Sequence, residues 1–202
     1  MCIRDSRQPE FTQIDIEMSF VENDEDVMEI AEGMIKDIFA KCKNITFTKP
    51  FRRMTWTEAM NRFGSDKPDT RYGLELNDIS PAVKNSEFTV FRQALEKGSV
   101  RALCVKGGAD KFTRKEIDAF ADFVKDYGAK GLAWASKKND GSTTSTFYKF
   151  LTEDEIKNIE DILHAEKGDL ILVVADNKNK VVYDSLGAVS YTHLRAHETK
   201  AN

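Results

Sequence analysis

The chain has 202 residues, of which 41% are hydrophobic and 32% charged, a balance typical of one folded domain or two small ones. No apolar run approaches the about 20 residues that a membrane-spanning helix needs, and no signal-peptide pattern opens the sequence. The net charge of −4 counts mildly against a domain whose main task is to bind nucleic-acid phosphates.

The three cysteines, Cys2, Cys42 and Cys104, are too scattered for a disulfide framework or a zinc site. We therefore expect reduced thiols in a cytoplasmic protein. Two histidines, His193 and His197, have the i, i+4 spacing that could hold a metal on a helix. They fall in a terminal segment that we set aside, so the sequence predicts no metal site.

Both ends of the chain differ in character from the rest. Residues 1–6 and 189–202 resemble translated sequencing-adapter sequence, which recurs at the ends of metagenomic reading frames. We predict that both segments are non-native and exclude them from inferences about the fold.

Residues 11–20 alternate between apolar and polar side chains, which predicts a β-strand. One face would carry Gln13, Asp15 and Glu17, about 7 Å apart along the strand. A solvent-facing edge strand would give the same pattern. The row contains no lysine, however, and its amide and two carboxylates suit a polar ligand with an ammonium group. Spacing alone leaves both interpretations open.

A helix is predicted from Asn23–Asp24 to about Cys42, because its apolar residues recur at i, i+3, i+4 and i+7. We expect that apolar stripe to pack against other elements. Two short strands, 45–47 and 52–54, are predicted to follow. The capping box that begins at Thr55 predicts a short helix that ends at Gly64, and the composition of residues 64–71 predicts a loop.

After about Ser80 the pattern indicates a separate, compact unit of helices and strands. Capping boxes at Thr113 and Thr152 predict two helices, and a last short helix should follow the turn at 177–180. Residues 137–146 are polar, and 139–144 within them are predicted to be a flexible loop. Strands are predicted at 88–91, 100–105, 132–135 and 170–175.

Several motifs, taken in order, resemble one family. The stretch Arg7-Gln-Pro-Glu-Phe-Thr-Gln-Ile-Asp-Ile-Glu17 resembles the second half of motif 2 of bacterial aspartyl-tRNA synthetases, which are class II enzymes. Further stretches resemble the region before the family's inserted GAD domain and the signatures of that domain: Arg62–Asp69, Gly107–Ala109, Tyr127–Ala133 and Ala175–Lys178. The resemblance runs from Arg7 to about Ala188.

The resemblance implies an α+β fold in two parts. Residues 7–85 would be a partial class II catalytic domain, with helices and part of an antiparallel sheet. Residues 86–188 would be a GAD insertion domain, itself α+β. The chain would thus be an internal fragment between two non-native ends.

The resemblance also implies an activity and residue roles. The complete enzyme, an aspartate–tRNA ligase, would use ATP and Mg²⁺ to activate L-aspartate and would transfer it to tRNA(Asp), or also to tRNA(Asn), as a homodimer without membrane attachment. Gln8 and Phe11 would contact ATP, with Phe11 stacked on the adenine. Asp15 would bind the α-ammonium group of aspartate, and Gln13 and Glu17 would line the same pocket. A core phenylalanine is the other interpretation of Phe11.

Parts of the family's pattern have no counterpart here. They include motifs 1 and 3, the motif 2 arginine that contacts the α-phosphate, the magnesium-binding carboxylate and the anticodon-binding barrel. We therefore assign no catalytic residue and predict that the isolated chain is inactive. The alternatives are a non-catalytic GAD-domain binding module, as in tRNA-dependent amidotransferase subunits, and an unrelated α/β protein.

Overall fold

The computed structural model describes residues 13–71 and 73–194, which form two compact units. The first unit ends at Arg53 and the second begins at Met54. In the described residues, no helix is long and apolar enough to cross a membrane.

The first unit is built on one long helix, α1 (Asp24–Lys43). Asn23 caps its start in a capping box with Asp26, acidic residues occupy the first turn, and lysines lie in the last. The helix ends at Asn44, whose backbone is left-handed with φ of 55°. This helix was predicted, and it is confirmed.

The strands predicted for the first unit are not formed. Residues 13–20, the described part of the predicted strand 11–20, have no regular structure, and neither have 45–47 and 52–53. The reason is the lack of partners, because the described residues of this unit contain no second strand to receive backbone hydrogen bonds. No residue of α1 is buried, so its apolar stripe is not covered as we had expected.

The second unit is organised around a five-stranded antiparallel sheet with the order β1-β2-β5-β3-β4. The central pair joins β2 to β5 over seven residues, from Ser99↔Asp176 to Val105↔Leu170. The strands are β1 (Asn77–Asp78), β2 (Ser99–Val105), β3 (Ala133–Lys137), β4 (Thr143–Ser145) and β5 (Leu170–Asp176).

Helices cover both faces of this sheet. Thr55, Thr113 and Thr152 cap the starts of α2, α5 and α6, each accepting a hydrogen bond from a backbone N–H three residues later. The helices are α2 (Trp56–Phe63), α3 (Thr89–Leu95), α4 (Gly108–Lys111), α5 (Arg114–Phe123), α6 (Glu153–Leu163) and α7 (Asn179–Val189). The predictions of a short helix between Thr55 and Gly64 and of helices that begin at Thr113 and Thr152 are confirmed.

Two apolar cores lie on opposite faces of the sheet, and β5 contributes to both. Leu170, Leu172 and Val174 pack with α5 and α7, whereas Ile171 and Val173 pack with α3 and α6. A strand that is buried on both faces needs apolar residues without alternation, which explains the continuous run Leu-Ile-Leu-Val-Val-Ala. The mixed helix and antiparallel-sheet fold agrees with the predicted α+β class.

Two local predictions in this unit were wrong. Residues 88–91 were predicted as a strand, but from Thr89 they lie in α3. Four residues are too few to reveal a period, whereas Phe88, Phe91 and Leu95 together have helical spacing. The last two residues of the predicted loop 139–144 lie in β4, which pairs with β3 in a hairpin.

The compact unit begins well before the predicted domain boundary at 85/86. It includes α2 and β1, because β1 pairs with β2 through Asn77↔Ala102 and Asp78↔Arg101. At the other end, Val189 and Leu194 are buried in the core with α5 and α7. The boundary at 85/86 and the non-native character of residues 1–6 and 189–202 remain predictions.

Candidate functional site

The polar row predicted to bind aspartate lies on an exposed extended segment. Gln13, Asp15 and Glu17 are all exposed, and the Gln13 side-chain amide donates a hydrogen bond to the Asp15 carboxylate. Ile14 and Ile16, on the opposite face of the predicted strand, are also exposed. The structure therefore brings Gln13 and Asp15 together but does not hold the row on a strand. Gln8 and Phe11 lie outside the described residues.

This row has the chemistry of a cation-binding surface. Ionised carboxylates accept hydrogen bonds from an ammonium group more strongly than neutral acceptors do. A magnesium ion needs several oxygen ligands in near-octahedral geometry. The described residues contain no group of three or more histidine, cysteine, aspartate or glutamate side chains that could hold a metal. The row thus fits an ammonium ligand better than a metal.

A second polar cluster in the first unit was not predicted. The Glu32 carboxylate pairs with Lys36 at 2.7 Å, accepts the backbone N–H of Phe51 at 3.0 Å, and lies 3.4 Å from Arg53. The hydrogen bonds from Lys36 and from Phe51 lower the pKa of Glu32. Because these contacts tie residues 51–53 to α1, the cluster stabilises this unit and is not a ligand site.

In the second unit, the carboxylate of Asp169 is buried at the end of the β2–β5 pair. It accepts hydrogen bonds from the backbone N–H of Gly107 at 2.9 Å, from that of Glu166 at 2.8 Å, and from Lys106 at 2.8 Å. Burial alone would raise the pKa of Asp169, but these hydrogen bonds outweigh it and hold the pKa below its ordinary value. Asp169 therefore holds in place the turn at Gly107 and the turn at Glu166.

The thiol of Cys104 lies 3.6 Å from that carboxylate. Burial, and then the negative charge of Asp169, raise the pKa of Cys104 to about 12. A nucleophilic cysteine needs a lowered pKa and access to solvent. The environment of Cys104 is the opposite, so we assign it no catalytic role.

Arg101 of β2 connects the segment before the predicted boundary to the unit after it. Its guanidinium donates to the carbonyl oxygen of Asn61 at 3.1 Å and to the Asn61 side-chain oxygen at 3.2 Å. The guanidinium also lies over the ring of Tyr183. The Tyr183 hydroxyl donates to the side-chain oxygen of Asn61 at 2.6 Å. This cluster joins α2, β2 and α7.

The second unit also contains a cleft of about 540 Å³. It opens between α3 and the segment that leads into β3, and its lining includes Gly131, Phe147 and Ala175. None of its lining residues was predicted as a site residue, although 130–133 and 175–177 lie within two of the stretches that resemble signatures of the GAD domain.

Comparison with known proteins confirms the resemblance inferred from the motifs. Residues 91–186 match the GAD domain family, within the second unit.

Curated relatives align along most of the chain. The chain is 51% identical over 205 residues to an aspartate–tRNA(Asp/Asn) ligase of Caldanaerobacter subterraneus subsp. tengcongensis, covering 98% of the chain and 33% of that protein. It is 53% identical over 188 residues to an aspartate–tRNA ligase of Clostridium acetobutylicum, covering 93% of the chain and 31% of that protein. The aspartate–tRNA ligase of Ruminiclostridium cellulolyticum is 54% identical over 186 residues, with 92% and 31% covered. The chain thus spans about a third of the length of these relatives.

Proposed function

We propose that this chain is part of an aspartate–tRNA ligase, which activates L-aspartate with ATP to aspartyl-adenylate and transfers the aspartyl group to tRNA(Asp). The single observation that carries this proposal is the identity of 51–54% to such ligases over most of the chain. The relatives differ in whether their names include tRNA(Asn) as an acceptor. Acceptance of tRNA(Asn) is therefore a separate question for experiment.

Within this proposal, the polar row binds the amino acid. The Asp15 carboxylate takes the α-ammonium group of aspartate, and Gln13 and Glu17 line the pocket, while Gln8 and Phe11 contact ATP. The exposure of the row supports this assignment, since all three described side chains are accessible to a ligand. Residues 7–85 would belong to the catalytic domain and 86–188 to the GAD insertion of a dimeric, cytoplasmic enzyme.

The reaction places specific demands on these residues. The aspartate carboxylate attacks the α-phosphorus of ATP, and the ribose hydroxyl at the 3′ end of tRNA then attacks the adenylate. Asp15 orients the substrate through its ammonium group, which leaves the substrate carboxylate free to react. Mg²⁺, when bound, neutralises charge on the phosphates. The described residues hold no cluster of ligands that fits it, so its ligands are not assigned to this chain.

A chimera tests the proposal. Residues 7–188 would replace the corresponding third of the Clostridium acetobutylicum ligase, and ATP–pyrophosphate exchange and charging of tRNA(Asp) and tRNA(Asn) would be measured. We expect an active chimera in which Asp15→Asn lowers kcat/KM for aspartate by about 100-fold, because a charge-assisted hydrogen bond to the ammonium group is lost. The KM for ATP should stay unchanged.

The matched control is Asp37→Asn, which removes an exposed charge from α1, where Asp37 pairs with the exposed Lys41. It should leave both reactions unaffected. An Asp15→Asn chimera with full aspartate activation would overturn the assignment. The isolated 202-residue chain should show neither reaction above background.

The match of residues 91–186 to the GAD family also favours one alternative, a binding module without catalysis. Deletion of Arg7–Glu17 from the chimera separates the two functions. Loss of adenylate formation supports the ligase, whereas unchanged activation supports the module.

A further inference from the structure

The first unit has a large apolar surface and no core of its own. Every buried apolar side chain in the described parts of the chain lies in the second unit. Of the 16 large apolar side chains that are exposed there, 11 lie within residues 13–53, although these are under a quarter of the described residues. An exposed apolar surface of this density marks an interaction site.

The exposed apolar side chains of α1 form a stripe. At 100° per residue, Val27, Ile30, Met34 and Ile38 fall within an arc of about 80° and extend about 17 Å along the helix. Val27 and Ile30 are 44% and 52% exposed. This α1 stripe therefore has the periodicity of a helix face that packs against a neighbouring layer, yet it is uncovered.

The other side of α1 is occupied by the chain itself. The ring of Phe47 packs edge-on against that of Phe39, with 5.4 Å between their centroids, and Glu32 accepts the backbone N–H of Phe51 at 3.0 Å. Glu32 and Phe39 lie about 150° around the helix from the centre of the α1 stripe. Residues 47–51 thus pack on one side of the helix and leave the stripe available to another element.

Residues 13–20 have a second unmet requirement. Their side chains alternate like those of a strand, and Ile14 and Ile16, on the apolar face, are 61% and 45% exposed. A strand also needs a neighbour for its backbone hydrogen bonds. A β-sheet meets both requirements, because its edge can pair with residues 13–20 while its apolar face covers the α1 stripe. The surface therefore fits a sheet of another polypeptide segment.

The charges of this unit exclude other classes of partner. Residues 13–35 contain eight acidic residues and no lysine or arginine. A helix that lies on an anionic membrane carries basic residues on its polar face, and a nucleic-acid surface needs basic residues for the phosphates. The stripe thus fits an apolar protein layer.

The relatives indicate where that layer comes from. Their alignments cover 92–98% of this chain, so they include most of the first unit. They cover only 31–33% of each relative, so about two thirds of each ligase consists of other segments. Those segments are long enough to supply a sheet.

We propose that the α1 stripe and the apolar face of residues 13–20 form one docking surface for a β-sheet in the part of the ligase that lies outside this chain. The inference rests on the proposed function and adds a partner to it. Pairing of residues 13–20 with that sheet turns Ile14 and Ile16 towards the covered side and the polar row towards the other side. Docking thus fixes the polar row in the geometry that aspartate needs.

Hydrogen–deuterium exchange measured by mass spectrometry tests this. It compares the complete 202-residue chain with the chimera that carries residues 7–188 in the Clostridium acetobutylicum ligase. We expect amides in 13–20 and in α1 to exchange at least 100-fold more slowly in the chimera, because docking buries the helix and pairs the strand. Amides of β5, which is buried in the second unit, are the internal reference and should exchange alike in both proteins.

Variants locate the docking surface. Ile30→Lys should leave the helix content of the isolated chain unchanged by circular dichroism, because Ile30 is exposed there. In the chimera it should reduce the protection of α1 and the rate of ATP–pyrophosphate exchange at least tenfold. Ile30→Leu keeps the apolar contact and should preserve both.

Gly33→Lys is the matched control, since Gly33 lies off the stripe and an added Cβ would meet no atom within 4 Å. Both new lysines stand four residues after a carboxylate, Asp26 or Glu29, so each has the same helical pairing. Gly33→Lys should change neither the protection of α1 nor the exchange activity of the chimera.

Several results would overturn the proposal. Equal exchange of α1 in the isolated chain and the chimera would show that the rest of the ligase does not cover it. Protection that rises with the concentration of the isolated chain to the level of the chimera would identify a second copy as the partner. An Ile30→Lys chimera that matches Gly33→Lys would place the contact elsewhere.

The same chimera separates this inference from the proposed function. An active chimera in which α1 stays unprotected rejects the docking surface and leaves the ligase proposal standing. A chimera that protects α1 but activates no aspartate supports the docking surface and counts against the ligase activity.

Discussion

Gly187 of α7 lies directly against the backbone of Gly64, the left-handed residue that ends α2. A Cβ at Gly187 would overlap the carbonyl oxygen of Gly64, and a Cβ at Gly64 would overlap that of Tyr183. Only glycine allows these two backbones to approach so closely. The contact explains why residues 54–80 belong to the same compact unit as the GAD match.

Replacing Gly187 with alanine should therefore destabilise the second unit by about 1–3 kcal/mol, because the backbones must separate. Urea unfolding followed by the fluorescence of Trp134, which is buried in this unit, measures the effect. Gly131→Ala is the matched control, since its added Cβ meets no atom within 4 Å. Equal stability of the two variants would contradict the close contact.

Limited proteolysis should show where the compact unit begins. Trypsin should cleave at the exposed Arg52 or Arg53 and leave a stable fragment that starts at Met54 or just before it. Mass spectrometry of the resistant fragment identifies its first residue. A fragment that begins after Lys84 would instead support a physical boundary at the predicted position 85/86.

Asp169→Asn should lower the free energy of unfolding by about 2 kcal/mol at pH 7, because the ion pair and charge-assisted hydrogen bonds are weakened. The pKa of Asp169 is lowered in the folded state, so its contribution is present above the unfolded pKa of about 4. It is lost as the pH falls from about 4 through the lower folded value. Unfolding by urea at pH 7, 5 and 3 measures this.

The difference between wild type and Asp169→Asn should consequently shrink at pH 3. Asp122→Asn serves as the control, because Asp122 forms an exposed pair with Lys125 and its replacement should change stability little at any of these pH values. A pH-independent effect of Asp169→Asn would show that the carboxylate charge is not what stabilises these turns.

Cys104 should react with iodoacetamide at least about 100-fold more slowly than Cys42 at pH 8, because its pKa is raised to about 12 and the thiolate is the reactive form. Cys42 is exposed. Peptide mapping by mass spectrometry during alkylation follows each cysteine separately. In urea the two rates should become similar, and similar rates in the native protein would contradict the burial of Cys104.

Tyr183→Phe should destabilise the second unit by about 1 kcal/mol, because it removes the hydrogen bond to Asn61 but keeps the ring under Arg101. Arg101→Met should cost more, about 2 kcal/mol, since it removes both hydrogen bonds to Asn61 and the cation–π contact. Urea unfolding of both single variants and the double variant measures the coupling. Additive effects would contradict a single connected cluster.

The amino-acid sequence was sufficient for the elements whose signals are local. The capping boxes at Thr113 and Thr152 begin helices because a side-chain hydroxyl and the backbone N–H three residues later are neighbours in the chain. The apolar run at 170–175 becomes the central strand, because a short continuous apolar run is itself a local signal of a strand buried on both faces. The family resemblance is equally a property of sequence, because motifs keep their order and spacing whether or not the surrounding fold is complete.

Tertiary structure decided the features that depend on a partner. Residues 13–20 alternate like a strand, yet a strand needs a neighbour for its hydrogen bonds, and the described residues of that unit contain none. Ala175 of β5 has no partner residue in β3, because β3 begins at Ala133 and the register would need it to begin at Gly131. Local patterns in the sequence determine which side chains a segment offers, but the packing of distant segments decides which of them face a core, a neighbouring strand or a ligand.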